Sequence, residues 1–299
     1  MTGLATQFRR SAVTAVGLAL CFGVSAGASA EQMEEIVING KSVTVEEYSI
    51  KCDLDPNDIP KDISTKRLAN CDSAELIVVD YEGKQIPAVR FVIKPDDKKI
   101  SSGVRAELRD LHVSKNGDEI WYRFATLLPE DFPVDAKHRL VLAQWHERMQ
   151  EGHDSLRPPI SHRLWDGRFV VTLWNKQRVA EIGKKGDGEI LYDLPSLKHG
   201  VFHDYVYKVV WSPESDGEIT AWHRECPPLE LESCPDGVWK EVITYKGSTG
   251  YDDVHVSGYY FKLGLYTVTD FDVPFTAFHS GYKSGASAAD IGAKDTIFQ

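Results

Sequence analysis

From about residue 75 onward the chain alternates apolar and polar positions in short runs, and a 3.6-residue period is almost absent. Successive side chains of a strand point to opposite faces, so such alternation predicts half-buried strands. Strands are expected over residues 75–79, 88–93, 109–113, 119–124, 138–146, 161–164, 168–174, 205–211, 218–222, 238–244 and 258–267. The turn dipeptides Asn116-Gly117, Asp166-Gly167 and Asp216-Gly217 each lie between two of these runs and predict hairpins. Short helices are expected near residues 60–68 and 287–293. Many short strands with regular turns predict an all-β, single-domain sandwich or jelly roll with few short helices. Residues 31–73 read as an irregular N-terminal segment. Residues 284–299 begin with a small, polar stretch and read as a loosely held tail.

The first thirty residues read differently. Arg9 and Arg10 precede an apolar run over residues 12–26, and Ala28-Ser29-Ala30 fits a small-residue cleavage site. Residues 1–30 are therefore expected to be a signal peptide, and 31–299 a secreted or periplasmic domain. Leu20 before Cys21 does not suit a lipoprotein, and no later stretch is long and apolar enough to span a membrane. Export places Cys52, Cys71, Cys226 and Cys234 in an oxidising compartment, where an even count suggests two disulfides. Three pairings are possible; Cys52–Cys71 with Cys226–Cys234 is the simplest.

The net charge is −11, and loss of Arg9 and Arg10 takes it to −13. Such a field does not attract polyanions, which argues against nucleic acid and against very highly sulfated glycans. An anionic polysaccharide would need a local basic cleft. No cofactor is required by any feature of the chain. Asp252-Asp253 is the best candidate for a structural calcium, but one acidic pair is far from a full oxygen shell. The protein is expected to be a monomer.

Three separated segments put hydrogen-bonding groups on one strand face and apolar groups on the other. They are Arg105-Ala106-Glu107-Leu108-Arg109, Gln144-Trp145-His146, and Tyr260-Phe261-Lys262-Leu263-Gly264-Leu265-Tyr266. Gln144 and His146 share a face, as do Tyr260, Lys262 and Tyr266. A cation or amide, an imidazole and a phenol are the groups that β-elimination on a uronic acid needs. The chain also holds seven Trp and twelve Tyr. Most should be core, some could stack on sugars, and alternation does not sort Trp145, Trp165, Trp174, Trp211 and Trp222 between the two.

In this order and spacing the three segments resemble the signature strands of jelly-roll polysaccharide lyases, which include alginate lyases, glucuronan lyases and heparin lyase I. The stretch Trp211-Ser212-Pro213-Glu214-Ser215-Asp216-Gly217-Glu218-Ile219-Thr220-Ala221-Trp222 is similar to the branch of heparin lyase I and glucuronan lyases. The resemblance spans roughly residues 74–273 and implies a β-jelly roll, a concanavalin A-like sandwich. Tyr266-Thr267 departs from the Tyr-Asn-Gln of alginate lyases, which moves alginate down the order of substrates.

The resemblance implies an enzyme that removes the C5 proton of a uronate and expels the group at O4. Gln144 and Arg105 match the groups that neutralise the uronate carboxylate, Tyr266 matches the catalytic tyrosine, and His146 the histidine. Tyrosines titrate near ~10, so Tyr266 needs a cation beside it to act as a base. Lys262, on the same strand face, and Arg105 are the candidates. Lys262, Arg109, Tyr260 and His162 are the expected substrate-binding residues. Where the C5 proton and O4 lie on the same side of the sugar, as in glucuronate, Tyr266 can be base and then acid. Where they lie on opposite sides, as in iduronate or guluronate, His146 would be the base. The expected substrate is glucuronan-like or heparin/heparan-like. The alternatives are a non-catalytic lectin-like jelly roll and a glycoside hydrolase of similar fold. A hydrolase would need two opposed carboxylates, for which Glu230 and Glu232 are the nearest approach.

Overall fold

The computed structural model describes residues 35–38, 41–44, 48–51, 73–99, 103–110, 112–133, 139–165, 168–183, 188–194, 197–228 and 238–293. Its strands are β1 (Glu35–Ile38), β2 (Lys41–Thr44), β3 (Tyr48–Lys51), β4 (Ala74–Tyr81), β5 (Lys84–Ile93), β6 (Val104–Asp110), β7 (Glu119–Leu127) and β8 (Arg139–Met149). They continue as β9 (Ile160–Trp165), β10 (Arg168–Leu173), β11 (Glu189–Leu194), β12 (Phe202–Val210), β13 (Glu218–Glu225), β14 (Lys240–Lys246), β15 (Val256–Thr267) and β16 (Phe275–Gly285), with one helix among the described residues, α1 (Lys176–Ile182). Sheet one has the order β11-β10-β9-β8-β15-β6-β3, and sheet two β14-β13-β12-β7-β16-β5-β4. β1 pairs only with β2, and all pairings are antiparallel. The result is the expected all-β sandwich.

The core lies between the two sheets. Phe261, Leu263 and Leu265 of β15 and Trp145 of β8 point inward from sheet one; Tyr122, Phe124, Tyr205 and Tyr207 meet them from sheet two. Trp145 is fully buried, 4.8 Å from the Tyr207 ring centroid and 4.9 Å from that of Phe261. Alternation then forces Gln144, His146, Tyr260, Lys262 and Tyr266 onto the opposite face of sheet one. One sequence rule thus builds both the core and a polar outer face.

His162 is on the inner side. It is 1% exposed, and its Nε2 lies 2.6 Å from the Tyr207 hydroxyl of the other sheet. This corrects its assignment to substrate binding: its neighbours in β9, Ser161 and Arg163, take the outer face instead. Desolvation depresses His162 to about 3, and does the same to His279, 1% exposed and held between Thr126 and the Gly264 carbonyl. Both are neutral when folded, whereas the unfolded chain protonates them near ~6.5. Stability is therefore unaffected above that pH and falls as pH drops through the window between 6.5 and 3. From pH 6 to 5 the two histidines should remove on the order of 2–3 kcal/mol of unfolding free energy, read from urea titrations. His162→Gln keeps a partner for Tyr207 and should reduce the measured change by on the order of 1 kcal/mol, while His203 and His223, also lowered by burial, keep contributing; an unchanged slope would acquit His162.

Several expectations are corrected by the topology. β6 and β7, on either side of Asn116-Gly117, lie in different sheets, so this turn crosses the sandwich and closes no hairpin. Asn116 reaches across to the Tyr251 carbonyl and to Asp253. Asp166-Gly167 lies outside the described residues, but Arg168 pairs with Trp165, as a two-residue hairpin requires. Asp216-Gly217 belongs to the connection of the β12–β13 hairpin. The helix α1 was not expected from the sequence. Asn175 caps it by accepting from the Arg178 N–H at 2.7 Å, and Gly183 ends it at φ 70°. Residues 287–293 form turns rather than a helix, and 60–68 lie outside the described residues.

The two ends of the domain also differ from expectation. Within 31–73, β3 pairs with β6 at the edge of sheet one, so the segment is not irregular throughout. Residues 284–293 are not loose: Ile291 and Ala293 are buried against Trp121 and Trp222, whose rings stack at 5.7 Å. There Arg123 donates to the Gly292 carbonyl, and with Arg224 it holds the fully buried Asp204. Residues 294–299 lie outside the described residues. Trp145, Trp174 and Trp211 are fully buried, Trp222 packs on the outer face of sheet two, and Trp165 is half-buried on the outer face of sheet one.

Candidate active site

β8, β15 and β6 are adjacent in sheet one, so their registers stack the candidate residues in rows across the strands. His146 is opposite Tyr260; Gln144 is opposite Lys262, which is opposite Arg109; Gly264 is opposite Glu107; Tyr266 is opposite Arg105. Gly264 has φ +145°, and a Cβ there would stand 2.1 Å from the Ala106 carbonyl oxygen. Only glycine lets β15 keep this close register beside Glu107.

Glu107 is the centre of the site. It is 3% exposed, accepts from Gln144 Nε2 at 2.5 Å and from Lys262 Nζ, and lies 3.5 Å from Arg105. Gln144 and Lys262 are each 2% exposed. Burial pulls the Lys262 ammonium below its usual range, and Glu107 opposes the shift. Arg105, Arg109 and Lys262 outnumber the carboxylates Glu107 and Glu147, so a strongly acidic protein carries a locally cationic patch here. Glu107 lies inside the first signature strand, but residue type alone gives a carboxylate there no part in the chemistry. Its signal was alternation, which puts it on the face of Arg105 and Arg109.

The two candidate tyrosines have different neighbours. The Arg105 guanidinium lies 4.1 Å from the ring centroid of Tyr266. Arg109 lies 3.9 Å from that of Tyr260, and His146 stacks on the same ring at 5.5 Å. Desolvation raises Tyr260, the more so for the nearby carboxylates Glu147 and Glu107 and against the pull of Arg109. His146 Nδ1 is 3.0 Å from both the Glu147 carbonyl oxygen and Glu147 Oε2. A carbonyl oxygen can only accept, so its bond places a proton on Nδ1, with Glu147 Oε2 at ion-pair distance. Glu147 is itself fixed by Ser155 and the Leu156 N–H, each at 2.8 Å.

Lys262, one of the two cations expected beside Tyr266, is committed to Glu107; Arg105 is the cation on its ring. His146 is paired with Tyr260, and six residues separate that row from Tyr266. At ~3.3 Å per residue this is about 20 Å of strand. The site therefore has a cationic centre, with a His–Tyr stack at one end and an Arg–Tyr stack at the other.

The expected disulfides fall mostly outside the described residues, as do Cys52, Cys71, Cys234, Glu230 and Glu232; Cys226 is buried. Asp252 pairs with Lys176 at 2.8 Å and Asp253 accepts from Asn116 at 2.8 Å. Among the described residues no group of three or more His, Cys, Asp or Glu could hold a metal, and no helix is long and apolar enough to cross a membrane.

A search of curated proteins finds no match. Among solved structures the chain is similar to an endo-β-1,4-glucuronan lyase from the fungus Trichoderma reesei, with a TM-score of 0.52 at 15% identity over 74% of this chain and 90% of that one. It is also similar to alginate lyase A1-II′, a member of polysaccharide lyase family 7, with a TM-score of 0.51 at 15% identity over 81% and 95%. At such identities the likeness establishes a shared jelly-roll fold. A family model described as polysaccharide lyase matches residues 60–285, a span that takes in all three signature strands and the whole buried cluster around Glu107. The chain belongs to the polysaccharide lyase family.

Proposed function

We propose that the protein is an exported lyase that cleaves a glucuronate-containing polymer by syn β-elimination at C4 of the uronate. The observation that carries this is the cationic, hydrogen-bonded centre next to a tyrosine already stacked on a guanidinium. In this reading the uronate carboxylate lies against Arg105 and Gln144. The Gln144 amide has two donors, one of which is given to Glu107; the other can meet the substrate. Such bonds strengthen as C5 loses its proton and charge moves onto the carboxylate. Tyr266, as phenolate, takes the C5 proton, with Arg105 stabilising its negative charge. The electron pair forms the C4–C5 double bond and expels O4, which the same phenol protonates.

The spacing supports the syn form. One residue must reach both the C5 proton and O4, and a base some 20 Å of strand away from Tyr266 does not suit a two-residue reaction on one sugar. His146 then binds or orients substrate by way of Tyr260. The similarity to a glucuronan lyase agrees with this choice of sugar; a heparin- or heparan-like polymer is second. Export by residues 1–30 and disulfides Cys52–Cys71 and Cys226–Cys234 belong to the same reading.

The test is a panel of glucuronan, alginate blocks, heparan sulfate and chondroitin, watched for the ultraviolet absorbance of the unsaturated product. Glucuronan should respond most strongly; absorbance from alginate alone would reject the substrate. Gln144→Ala should lower kcat far more than it raises KM, because its bond tightens in the transition state. A change in KM alone would reduce Gln144 to a ground-state contact.

A further inference from the structure

Behind His146 stands a carboxylate that the proposed reaction does not use. Glu147 follows His146 in β8, so alternation turns it toward the inner side of sheet one, where its side chain is fully buried. Its Oε1 accepts from the Ser155 hydroxyl and the Leu156 N–H, each at 2.8 Å. These two bonds tie the carboxylate to the loop that follows β8. Its Oε2 is buried with no hydrogen-bond partner among the described residues, and His146 Nδ1 lies 3.0 Å from it.

The phenols around Glu147 do not serve this oxygen. Tyr251 gives its hydroxyl to the Arg157 carbonyl, and Tyr259 gives its own to the Tyr251 carbonyl. Desolvation raises Tyr251, and the charge of Glu147 raises it further. A buried carboxylate oxygen without a partner is costly, and the donor within reach is the His146 ring. The Glu147 carbonyl oxygen also lies 3.0 Å from Nδ1. Both groups of Glu147 that face Nδ1 are acceptors, so no setting of the ring between them moves the proton to Nε2. The stack on Tyr260 holds the plane of the ring.

The geometry points to Glu147 as the positioning residue of His146. It keeps the proton on Nδ1, so that in the neutral ring Nε2 is presented as an acceptor to a hydroxyl of the polymer. This deepens the lyase reading and rests on it only for the choice of polymer.

Glu147→Gln is the test. The Leu156 N–H tolerates only an acceptor, so the new amide must keep its oxygen at the Oε1 position and turn its NH2 toward Nδ1. A donor facing a donor expels the proton, and the ring should change from the Nδ1–H to the Nε2–H tautomer. Nitrogen NMR reads this at a pH where the ring is neutral, with the signal assigned by its absence in His146→Ala. Ser155→Ala takes one bond from Glu147 but leaves the Leu156 N–H and the carboxylate charge, so it should keep Nδ1–H. On glucuronan, Glu147→Gln should lower kcat/KM by about 3- to 10-fold, the scale of one hydrogen bond. Added to His146→Ala it should cost nothing further, because both changes act through one ring. The role is overturned if the ring keeps Nδ1–H in Glu147→Gln, if Ser155→Ala changes the tautomer as well, or if the losses of Glu147→Gln and His146→Ala multiply. If the tautomer changes as expected but the wild-type protein releases no unsaturated product from any uronate polymer, the positioning role stands and the proposed reaction falls.

Discussion

Tyr266→Phe should lower kcat on glucuronan by about 10²–10⁴-fold, the usual scale for losing a positioned acid or base. The change removes one oxygen and keeps the ring on which Arg105 rests, so the thermal midpoint and the affinity for polymer should stay close to wild type. Retention of more than about a tenth of kcat, a barrier change under ~1.4 kcal/mol, would exclude Tyr266 as acid or base. His146→Ala is the companion measurement. Because His146 is stacked on Tyr260, it should cost much less than Tyr266→Phe in the syn reaction. Equal losses on the best substrate would favour separate base and acid, the anti reaction of an iduronate or guluronate polymer.

Glu107→Ala should destabilise the fold by about 3–5 kcal/mol, the scale for removing one partner of a buried pair. Lys262 is 2% exposed and draws its charge compensation from this carboxylate. Without Glu107, burial acts unopposed and drives the lysine further below its ordinary value of ~10.4. A lysine with a depressed folded value is protonated in the unfolded chain before it is in the native one. The destabilisation is therefore complete at pH values below the folded value and is relieved as pH rises through the window up to ~10.4. The double variant Glu107→Ala, Lys262→Met removes the stranded charge and should recover most of the loss. A double variant no more stable than the single one would mean that Glu107 stabilises through something other than Lys262. Activity is expected to fail in both, because Gln144 loses the bond at 2.5 Å that orients it.

The strand segments were readable in the sequence because burial on one side of a sheet forces a period of two. That rule put Phe261, Leu263 and Leu265 on one face and Tyr260, Lys262 and Tyr266 on the other, and set Trp145 opposite Gln144 and His146; the structure has the same faces and shows Trp145 to be core. At His162 it was silent: period two separates His162 from Ser161 and Arg163 but carries no sign of which side is core, and the expected place at the substrate did not come from alternation. Asn116-Gly117 misled for a related reason: a turn dipeptide states that the chain bends, and not which sheet receives the next strand. The helix α1 is two turns long and has no buried residues, so it left no apolar stripe to detect.

What the sequence determined by itself was local and periodic: the class of fold, the two faces of each signature strand, and the residue types gathered on the polar one. Lateral relations needed the tertiary structure, because register and strand order are set by packing between segments far apart in the chain. Arg105 pairs with Tyr266 across 161 positions, and Glu107 with Lys262 across 155. The bulge of β8 at Leu142-Ala143, where both side chains turn into the core and the register shifts against β9 and β15, is the sharpest case. It leaves the composition of β8 unchanged and yet reverses the face of every residue before it, because one extra residue shifts a period-two pattern by half its repeat. That single shift turns Arg139 and Val141 outward beside Arg163.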